Sequence, residues 1–128
     1  MLTEISSYQK AECLLFQNKP QEAVAEYSKF QKGFPNSKYL PLSVYQQGNA
    51  YWGIEDYARA LERYNVLVNT YADFSDIDMA MAFLGYCYDK IDQWKKAKAL
   101  YQKVISRNKK TDAVQFAKKE LEKLLTTH

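Results

Sequence analysis

Apolar residues recur along this chain with the period of an α-helix, in pairs of stripes that a short polar break separates. The clearest pair lies in the middle of the chain, where a helix is predicted from about Leu40 to Gly53. A second helix follows it, and its apolar face comprises Tyr57, Ala60, Leu61, Tyr64, Leu67 and Val68. Two amphipathic helices joined by a short break predict a helical hairpin.

The hairpin recurs every 37 residues, and a fixed period of this size indicates a repeat architecture. Small and large residues occupy fixed columns, which are Ala23, Ala60 and Ala97, then Tyr27, Tyr64 and Tyr101. Glycine inside a helix costs about 1 kcal/mol relative to alanine, so Gly48 and Gly85 are expected where two helices pack closely. We predict an all-α fold of three hairpins.

The chain is expected to form one domain over residues 1–128, with repeats at about 4–40, 41–77 and 78–111. A last helix at about 112–126 carries apolar residues on one face and lysines on the other, as expected of a helix that caps a stack of repeats. Every repeat stacks on its neighbour in such proteins, and the stack offers an extended surface for another chain. Binding is therefore favoured over catalysis.

Several polar residues are expected at helix ends. Pro20 suits the first turn of a helix, and Pro35, Asn36 and Ser37 are expected to end the first unit and cap the next helix. Glu55 and Asp56 are placed at the start of the second helix of their hairpin, where carboxylates favour the helix dipole. The third hairpin is expected to start at Ser75 or Asp76.

The run Gly48-Asn49-Ala50-Tyr51-Trp52, with Asp56-Tyr57, Ala60-Leu61 and Tyr64 after it, resembles the tetratricopeptide repeat (TPR) consensus. The first copy departs from it at Pro20, and the third has Lys109 where the first has the helix-ending Pro35. The resemblance implies a right-handed superhelix of three hairpins and a C-terminal capping helix. It also implies a non-catalytic scaffold that holds a partner peptide or protein in a concave groove.

Three further segments narrow the resemblance. Phe34-Pro35-Asn36-Ser37, Tyr39-Leu40-Pro41 and the ending Tyr101-Gln102-Lys103-Val104-Ile105 are similar to two bacterial TPR families. These are the C-terminal domain of the Tol-Pal-associated cell-division coordinator and the TPR lipoprotein of the outer-membrane barrel-assembly machinery. The similarity spans about residues 8–125 and implies a periplasmic or cell-envelope protein if the chain is a fragment of an exported one. Otherwise a cytoplasmic location is expected, because Met1 to Gln17 lacks the pattern of a signal peptide.

In a TPR stack the first helix of each hairpin lines the inner surface, and the resemblance identifies the columns that face a partner. The candidate contact residues are Tyr8, Glu12, Leu15 and Phe16, then Tyr45, Asn49 and Trp52, then Ala82, Tyr86, Asp89 and Lys90. Tyrosine and tryptophan are enriched at binding hot spots, although packing between repeats is an equal alternative for Tyr8, Tyr45 and Trp52. The chaperone-type carboxylate clamp needs basic residues and asparagine where this chain has Tyr8, Glu12, Ala82 and Tyr86, so that clamp is absent.

Charge is distributed unevenly along the chain. The net charge is +3, but residues 1–94 carry 8 cationic and 12 acidic residues, whereas residues 95–128 carry 10 and 3. A basic end can attract an acidic protein, anionic lipid or nucleic acid. The lysines are interleaved with apolar residues at helical spacing, which favours a solvated outer face and disfavours nucleic acid. Self-association through the groove or an exposed end is the other alternative, giving a homo-oligomer.

The residue inventory argues against an enzyme. The single histidine is His128, and no paired-histidine zinc motif or Cys-x-x-Cys motif occurs, so no metal, cofactor or small-molecule substrate is expected. Asp73, Asp76 and Asp78 lie close together, but the segment that follows Asp73 has neither the glycine nor the terminal glutamate of a calcium loop. These carboxylates are therefore expected to cap helices and not to bind a metal ion. Cys13 and Cys87 fall in one column two repeats apart and are expected to be free and buried. No segment approaches the ~20 apolar residues of a membrane span.

Overall fold

A computed structural model describes residues 3–107 and 110–128, and in these ranges it contains helices and no strand. Lys109, where the third repeat departs from the consensus, lies outside the described residues. The helices are α1 (Glu4–Phe16), α2 (Pro20–Gly33), α3 (Leu40–Gly53), α4 (Tyr57–Thr70), α5 (Ile77–Lys90), α6 (Trp94–Ser106) and α7 (Asp112–Thr127). The prediction of an all-α fold of helical hairpins is confirmed.

The chain divides into two compact units, and the division falls inside α4, between Arg63 and Tyr64. In the N-terminal unit, as we call the residues up to Arg63, α2 packs against both α1 and α3. In the C-terminal unit, from Tyr64 onward, α5, α6 and α7 pack against one another in all three pairs. The expected capping helix therefore covers both helices of the last hairpin.

One turn geometry closes all three hairpins. Asn18, Glu55 and Asp92, spaced 37 residues apart, have left-handed backbone with φ of 59°, 59° and 65°. The amide after each one donates to a carbonyl five residues back, as Lys19 N does to Leu14 O at 2.9 Å. This is the Schellman ending of a helix. Glu55 therefore belongs to the turn, and its predicted place at the start of the next helix is wrong.

The helix starts match the sequence expectations only in part. Pro20 is the first residue of α2, as predicted, and Asp56 Oδ1 accepts from the Arg59 amide at 3.3 Å at the start of α4. The predicted caps at α3 are wrong, because Tyr39 holds the cap position without a side-chain bond and Ser37 Oγ instead accepts from the Tyr39 amide at 3.1 Å.

Asp76 and Asp78 also differ from the expected helix caps. Asp76 occupies the position before α5, but its side chain makes no capping hydrogen bond. Asp78 is buried in the first turn of α5 and forms an ion pair with Arg107 at the end of α6. The acidic residue at this position thus joins the two ends of the last hairpin.

The core of the N-terminal unit is aromatic. Tyr27 and Phe30 of α2 are fully buried, together with Ala11 and Ala23. Tyr8 of α1 lies among these rings, with its ring centroid 5.6 Å from those of Tyr27 and Phe30. The alanine column lets α1 and α2 approach, and the large rings fill the space beside it.

The C-terminal unit confirms the close contact expected at its glycine. A Cβ atom added at Gly85 would lie 3.0 Å from Tyr101 Cε1 and 3.4 Å from Leu100 Cβ. Both contacts come from α6, so a side chain at this position would press against α6, and glycine permits the close approach of α5 and α6. Ala97 and Tyr101, which continue the two repeat columns, are fully buried.

The two cysteines are free thiols in different environments. Cys87 is buried in α5, and burial raises the pKa of its thiol to about 12. Cys13 is exposed on α1, so the prediction that both thiols are buried is wrong for Cys13. Cys13 lies on the opposite side of α1 from the buried Tyr8 and Ala11, because the helix turns through one circle every 3.6 residues, and this position accounts for its exposure.

Candidate functional site

The first helix places its predicted contact residues in three environments. Tyr8 is buried in the core, stacked on Tyr39 with the ring centroids 5.4 Å apart, so it packs within the unit and offers no surface to a partner. Glu12 and Leu15 are half-buried. Phe16 is 88% exposed at the end of α1, the most exposed of the described large apolar residues.

The third helix carries its three predicted contact residues on one face. Tyr45, Asn49 and Trp52 follow one another at helical spacing, and all three are half-buried. Asn49 Nδ2 donates to Gln46 Oε1 at 3.2 Å. The Trp52 ring meets Tyr57 of α4 edge to face, with centroids 5.8 Å apart. Trp52 thus combines packing with a partly open surface.

The fifth helix brings three predicted residues to one cleft. Tyr86, Asp89 and Lys90 line a cavity of about 220 Å³ together with residues of α7. Lys90 Nζ lies 5.0 Å from the centroid of the Tyr86 ring. Ala82, predicted in the same columns, is instead fully buried and cannot contact a partner.

The α7 side of the cleft consists of residues that were not among the predicted partner contacts. They are Glu120, Lys123, Leu124, Thr127 and His128. The available signal was the amphipathic pattern of α7, because a capping helix that packs on α5 must border the surface that α5 presents. Phe116 shows that packing, with its ring centroid 5.4 Å from Phe83 and 6.1 Å from Tyr86.

Opposite charges meet in this cleft. Lys123 Nζ lies 3.4 Å from Glu120 Oε1, and the Glu120 side chain is mostly buried. Burial raises the pKa of the Tyr101 phenol above its usual range, and the carboxylates of Glu120 and Asp89 raise it further. Both acidic groups therefore lie near the buried Tyr101 hydroxyl. The His128 ring stacks on Trp94 at 4.7 Å beside them.

The lysine-rich end forms a second distinctive surface. The α6 helix has no acidic residue, and Lys95, Lys96 and Lys103 are exposed on it. Within residues 3–107 and 110–128, none of these three forms an ion pair, although Lys95 lies over Trp94 and Lys96 over Tyr88. The surface of α6 therefore carries uncompensated positive charge.

No group of three or more histidine, cysteine, aspartate or glutamate side chains among the described residues is arranged to hold a metal ion. Across the same part of the chain, every helix is too short or too polar to cross a bilayer.

Comparison with solved structures supports the fold. The first TPR of Spaghetti (RPAP3), bound to the HSP90 peptide SRMEEVD, is 22% identical with a TM-score of 0.76, over 97% of this chain and 91% of that one. The TPR domain of Arabidopsis FLU is 17% identical with a TM-score of 0.67, over 81% and 92%. The MamA RS-1 ArsTM double mutant is 20% identical with a TM-score of 0.68, over 97% and 76%.

Sequence comparison identifies the family directly. No curated protein sequence is significantly similar to this chain. The family model of the tetratricopeptide repeat matches residues 6–37, 43–73 and 84–111, which together make up more than half of the chain. Each matched segment covers the second helix of one hairpin and at least half of the first helix. The chain therefore belongs to the tetratricopeptide repeat family, whose fold is typical of protein interaction scaffolds.

Proposed function

We propose that this chain is a non-catalytic module, acting as one domain, that holds a segment of a partner protein against α1, α3 and α5. The cleft between α5 and α7 is the observation that carries the proposal. Three residues selected from the repeat columns, Tyr86, Asp89 and Lys90, border it together. A surface that is concave, aromatic and polar can hold a peptide side chain in one orientation.

The chemistry of the cleft favours an amphipathic side chain in the partner. The Tyr86 ring offers apolar contact, Asp89 and Glu120 offer hydrogen-bond acceptors, and Lys90 and Lys123 offer donors. A long partner side chain with an apolar stem and a polar end matches the ring and the polar groups.

The partner differs from the peptide bound to the Spaghetti repeat. That structure contains the HSP90 peptide SRMEEVD, which ends in acidic residues. In the columns of the carboxylate clamp this chain has Tyr8 and Ala82, which are buried, and the acidic Glu12. We therefore propose a partner whose recognition does not depend on a free C-terminal carboxylate.

Partner capture with matched variants tests the proposal. The chain is immobilised, incubated with an extract of the source organism, and the retained proteins are quantified by mass spectrometry. We expect Tyr86→Ala combined with Asp89→Asn to lower retention of a specific partner by about tenfold or more, as truncation of hot-spot residues does. Lys118→Ala combined with Lys119→Ala, exposed on α7, should leave retention unchanged.

Two results would contradict the proposal that the partner binds in the groove. Loss of binding in the lysine variant alone, with a steep salt dependence, would assign the partner to the basic end. Unchanged retention by both variants would exclude the cleft. A thermal melt of each variant separates loss of binding from loss of folding.

Self-association is a second candidate that one observation favours. Phe16 is 88% exposed and Ile5 54% exposed, and both lie on α1, where eleven residues of helix bring them to the same face. Sedimentation velocity across protein concentrations measures association. If α1 mediates it, the wild type becomes larger with concentration, and Phe16→Ser remains a monomer.

We also propose a bacterial cell-envelope setting. The support is the resemblance of Phe34-Pro35-Asn36-Ser37 and the following repeat to envelope TPR families. Fractionation of cells that express the tagged natural protein tests it. Recovery in the periplasmic or membrane fraction is expected, and recovery with cytoplasmic markers would place the protein inside the cell.

A further inference from the structure

The N-terminal unit contains a polar pocket outside the columns that are predicted to contact a partner. It has a volume of about 330 Å³ and lies where α2, α3 and the first half of α4 meet. Ser28 comes from α2, Tyr51 from α3, and Arg59 and Arg63 from successive turns of α4. The proposed peptide groove uses none of these side chains.

A hydrogen-bond network around Gln47 forms one wall of the pocket. Gln47 is 1% exposed, and its Oε1 accepts from Gln31 Nε2 at 3.0 Å. Its Nε2 donates to Val24 O at 3.1 Å and to Ser28 Oγ at 3.0 Å. Because Ser28 Oγ accepts from Gln47, its own proton points away from this bond. The Ser28 hydroxyl, which lines the pocket, can therefore donate this proton to a bound group.

The two arginines supply further donors. Arg63 is only 26% exposed and lies 3.4 Å from Glu62 through one terminal nitrogen. Arg59 meets Asp56 at 3.2 Å, again through one terminal nitrogen. Each guanidinium carries five N–H donors in a planar fork that fits carboxylate and phosphate. Neighbouring ion pairs at this exposure are weak, so an entering anion can share or replace them.

The next repeat lacks this arrangement. At the positions 37 residues after Ser28, Gln47 and Arg63 stand Asn65, Leu84 and Leu100. Leu84 is buried, and the cation that remains, Lys96, lies over the ring of Tyr88. Packing of the repeat therefore does not require the polar pocket, because the same fold is built without it in the C-terminal unit.

From this geometry we infer that the pocket binds an oxyanion, either phosphate or the carboxylate of an acidic side chain. Arg59 and Arg63 would supply charge and paired donors, and the hydroxyls of Ser28 and Tyr51 would complete the donor set. Glu62 at the edge limits the net positive charge, which favours a single anionic group over a polyanion.

Titration of the isotopically labelled protein, followed by nuclear magnetic resonance, tests the inference. The probes are inorganic phosphate, a blocked oligo-glutamate peptide and its oligo-glutamine counterpart. We expect chemical-shift changes centred on Ser28, Gln47 and Tyr51 with phosphate, the glutamate peptide or both, and none with the glutamine peptide. The anion that binds identifies the source of the oxyanion.

A pair of charge-matched variants decides specificity. Arg59→Gln with Arg63→Gln should weaken binding by about tenfold or more, whereas Lys95→Gln with Lys103→Gln on α6 should change it little. Equal loss in both variants would show attraction to net charge and overturn the inference. Absence of shifts at the pocket with every probe would overturn it too. Unchanged dispersion of the amide spectrum shows that each variant is folded.

Discussion

Gln47 and Ser43 of α3 are buried in the N-terminal unit, whereas α5 in the C-terminal unit buries Leu84 and Ala80 at the equivalent positions. Gln31 Nε2 donates to both polar side chains, at 3.0 Å in each case, and Ser43 Oγ donates to Leu40 O at 2.6 Å. The same backbone repeat thus accepts a hydrogen-bonded network in one unit and apolar packing in the other.

The difference shows what a repeat position requires. A buried amide costs free energy unless its donors and acceptors are paired, and Gln47 pairs its amide oxygen and nitrogen. The network also shapes the wall of the oxyanion pocket, which the apolar junction lacks. The polar junction thus supplies one wall of the proposed pocket, whereas the apolar junction packs the repeat without a pocket of this kind.

Replacing Leu84 of the apolar junction by glutamine, its counterpart in the polar junction, should have the largest effect on stability. Leu84→Gln puts an amide into an apolar site and removes well-packed methyl groups, so we expect a loss of about 3 kcal/mol or more of unfolding free energy. Urea denaturation measures it. Leu84→Met, which keeps the site apolar, should cost much less. Equal stability of Leu84→Gln and the wild type would show that the repeats do not differ here.

Alkaline pH should destabilise both units, and the pH at which stability begins to fall should differ between them. Burial raises the pKa of Cys87 from 9.0 to about 12 and that of Tyr8 from 10.0 to about 12. Above pH 9 the unfolded state loses protons that the folded state keeps, so stability is complete below pH 9 and falls toward pH 12. Each group contributes a slope of at most about 1.4 kcal/mol per pH unit.

Two alanine variants separate the contributions. Cys87→Ala should delay the onset of destabilisation to about pH 10, where the tyrosines begin to ionise when unfolded. Cys13→Ala removes an exposed thiol and should leave the profile unchanged. Denaturation at several pH values gives the profile, and an unchanged onset in Cys87→Ala would contradict the assignment.

Replacing the buried Gln47 by leucine should lower the unfolding free energy less than placing glutamine at Leu84 does. Gln47→Leu leaves the Gln31 amide and the Ser28 hydroxyl without this partner, so we expect a loss of about 1 to 3 kcal/mol. Thermal and urea denaturation measure it. Gln21→Leu, exposed on α2, is the matched control and should change stability little. A stabilised Gln47→Leu would show that the network costs more than it contributes.

Sequence alone was sufficient where a column repeats. The alanine and tyrosine columns are fully buried in every copy, as at Ala60 and Tyr64, and α3 begins and ends at the predicted residues. Periodicity predicts these features because each repeat buries the same face. The repeat positions that were predicted to contact a partner include Tyr86, Asp89 and Lys90, and these three residues line one cleft.

Features that depend on position in the stack were harder to predict. Tyr8 is buried by the rings of Tyr27, Phe30 and Tyr39, whereas Cys13 is exposed on the other side of α1, and the repeat columns alone did not distinguish these two environments. The oxyanion pocket needs side chains from three helices, and residues so far apart in the sequence do not form a short motif that could be recognised. The polar Gln47 in an otherwise apolar column was the signal available, since its counterpart is Leu84.

Glycine substitutions at the left-handed positions of the hairpin turns should have the smallest effect on stability. We expect the effect to be similar in both units. Left-handed backbone costs a side-chain-bearing residue about 1 to 2 kcal/mol, less for asparagine and nothing for glycine, which instead loses more entropy on folding. Glu55→Gly and Asp92→Gly should therefore each stabilise the protein by up to about 1 kcal/mol, and Asn18→Gly by less. Gln17→Gly, at an ordinary φ of −80°, is the control and should destabilise it. Urea denaturation ranks the four variants. A loss of stability in Glu55→Gly alone would mean that the Glu55 side chain contributes more than its backbone strain costs, and would separate the turn of the N-terminal unit from its C-terminal counterpart.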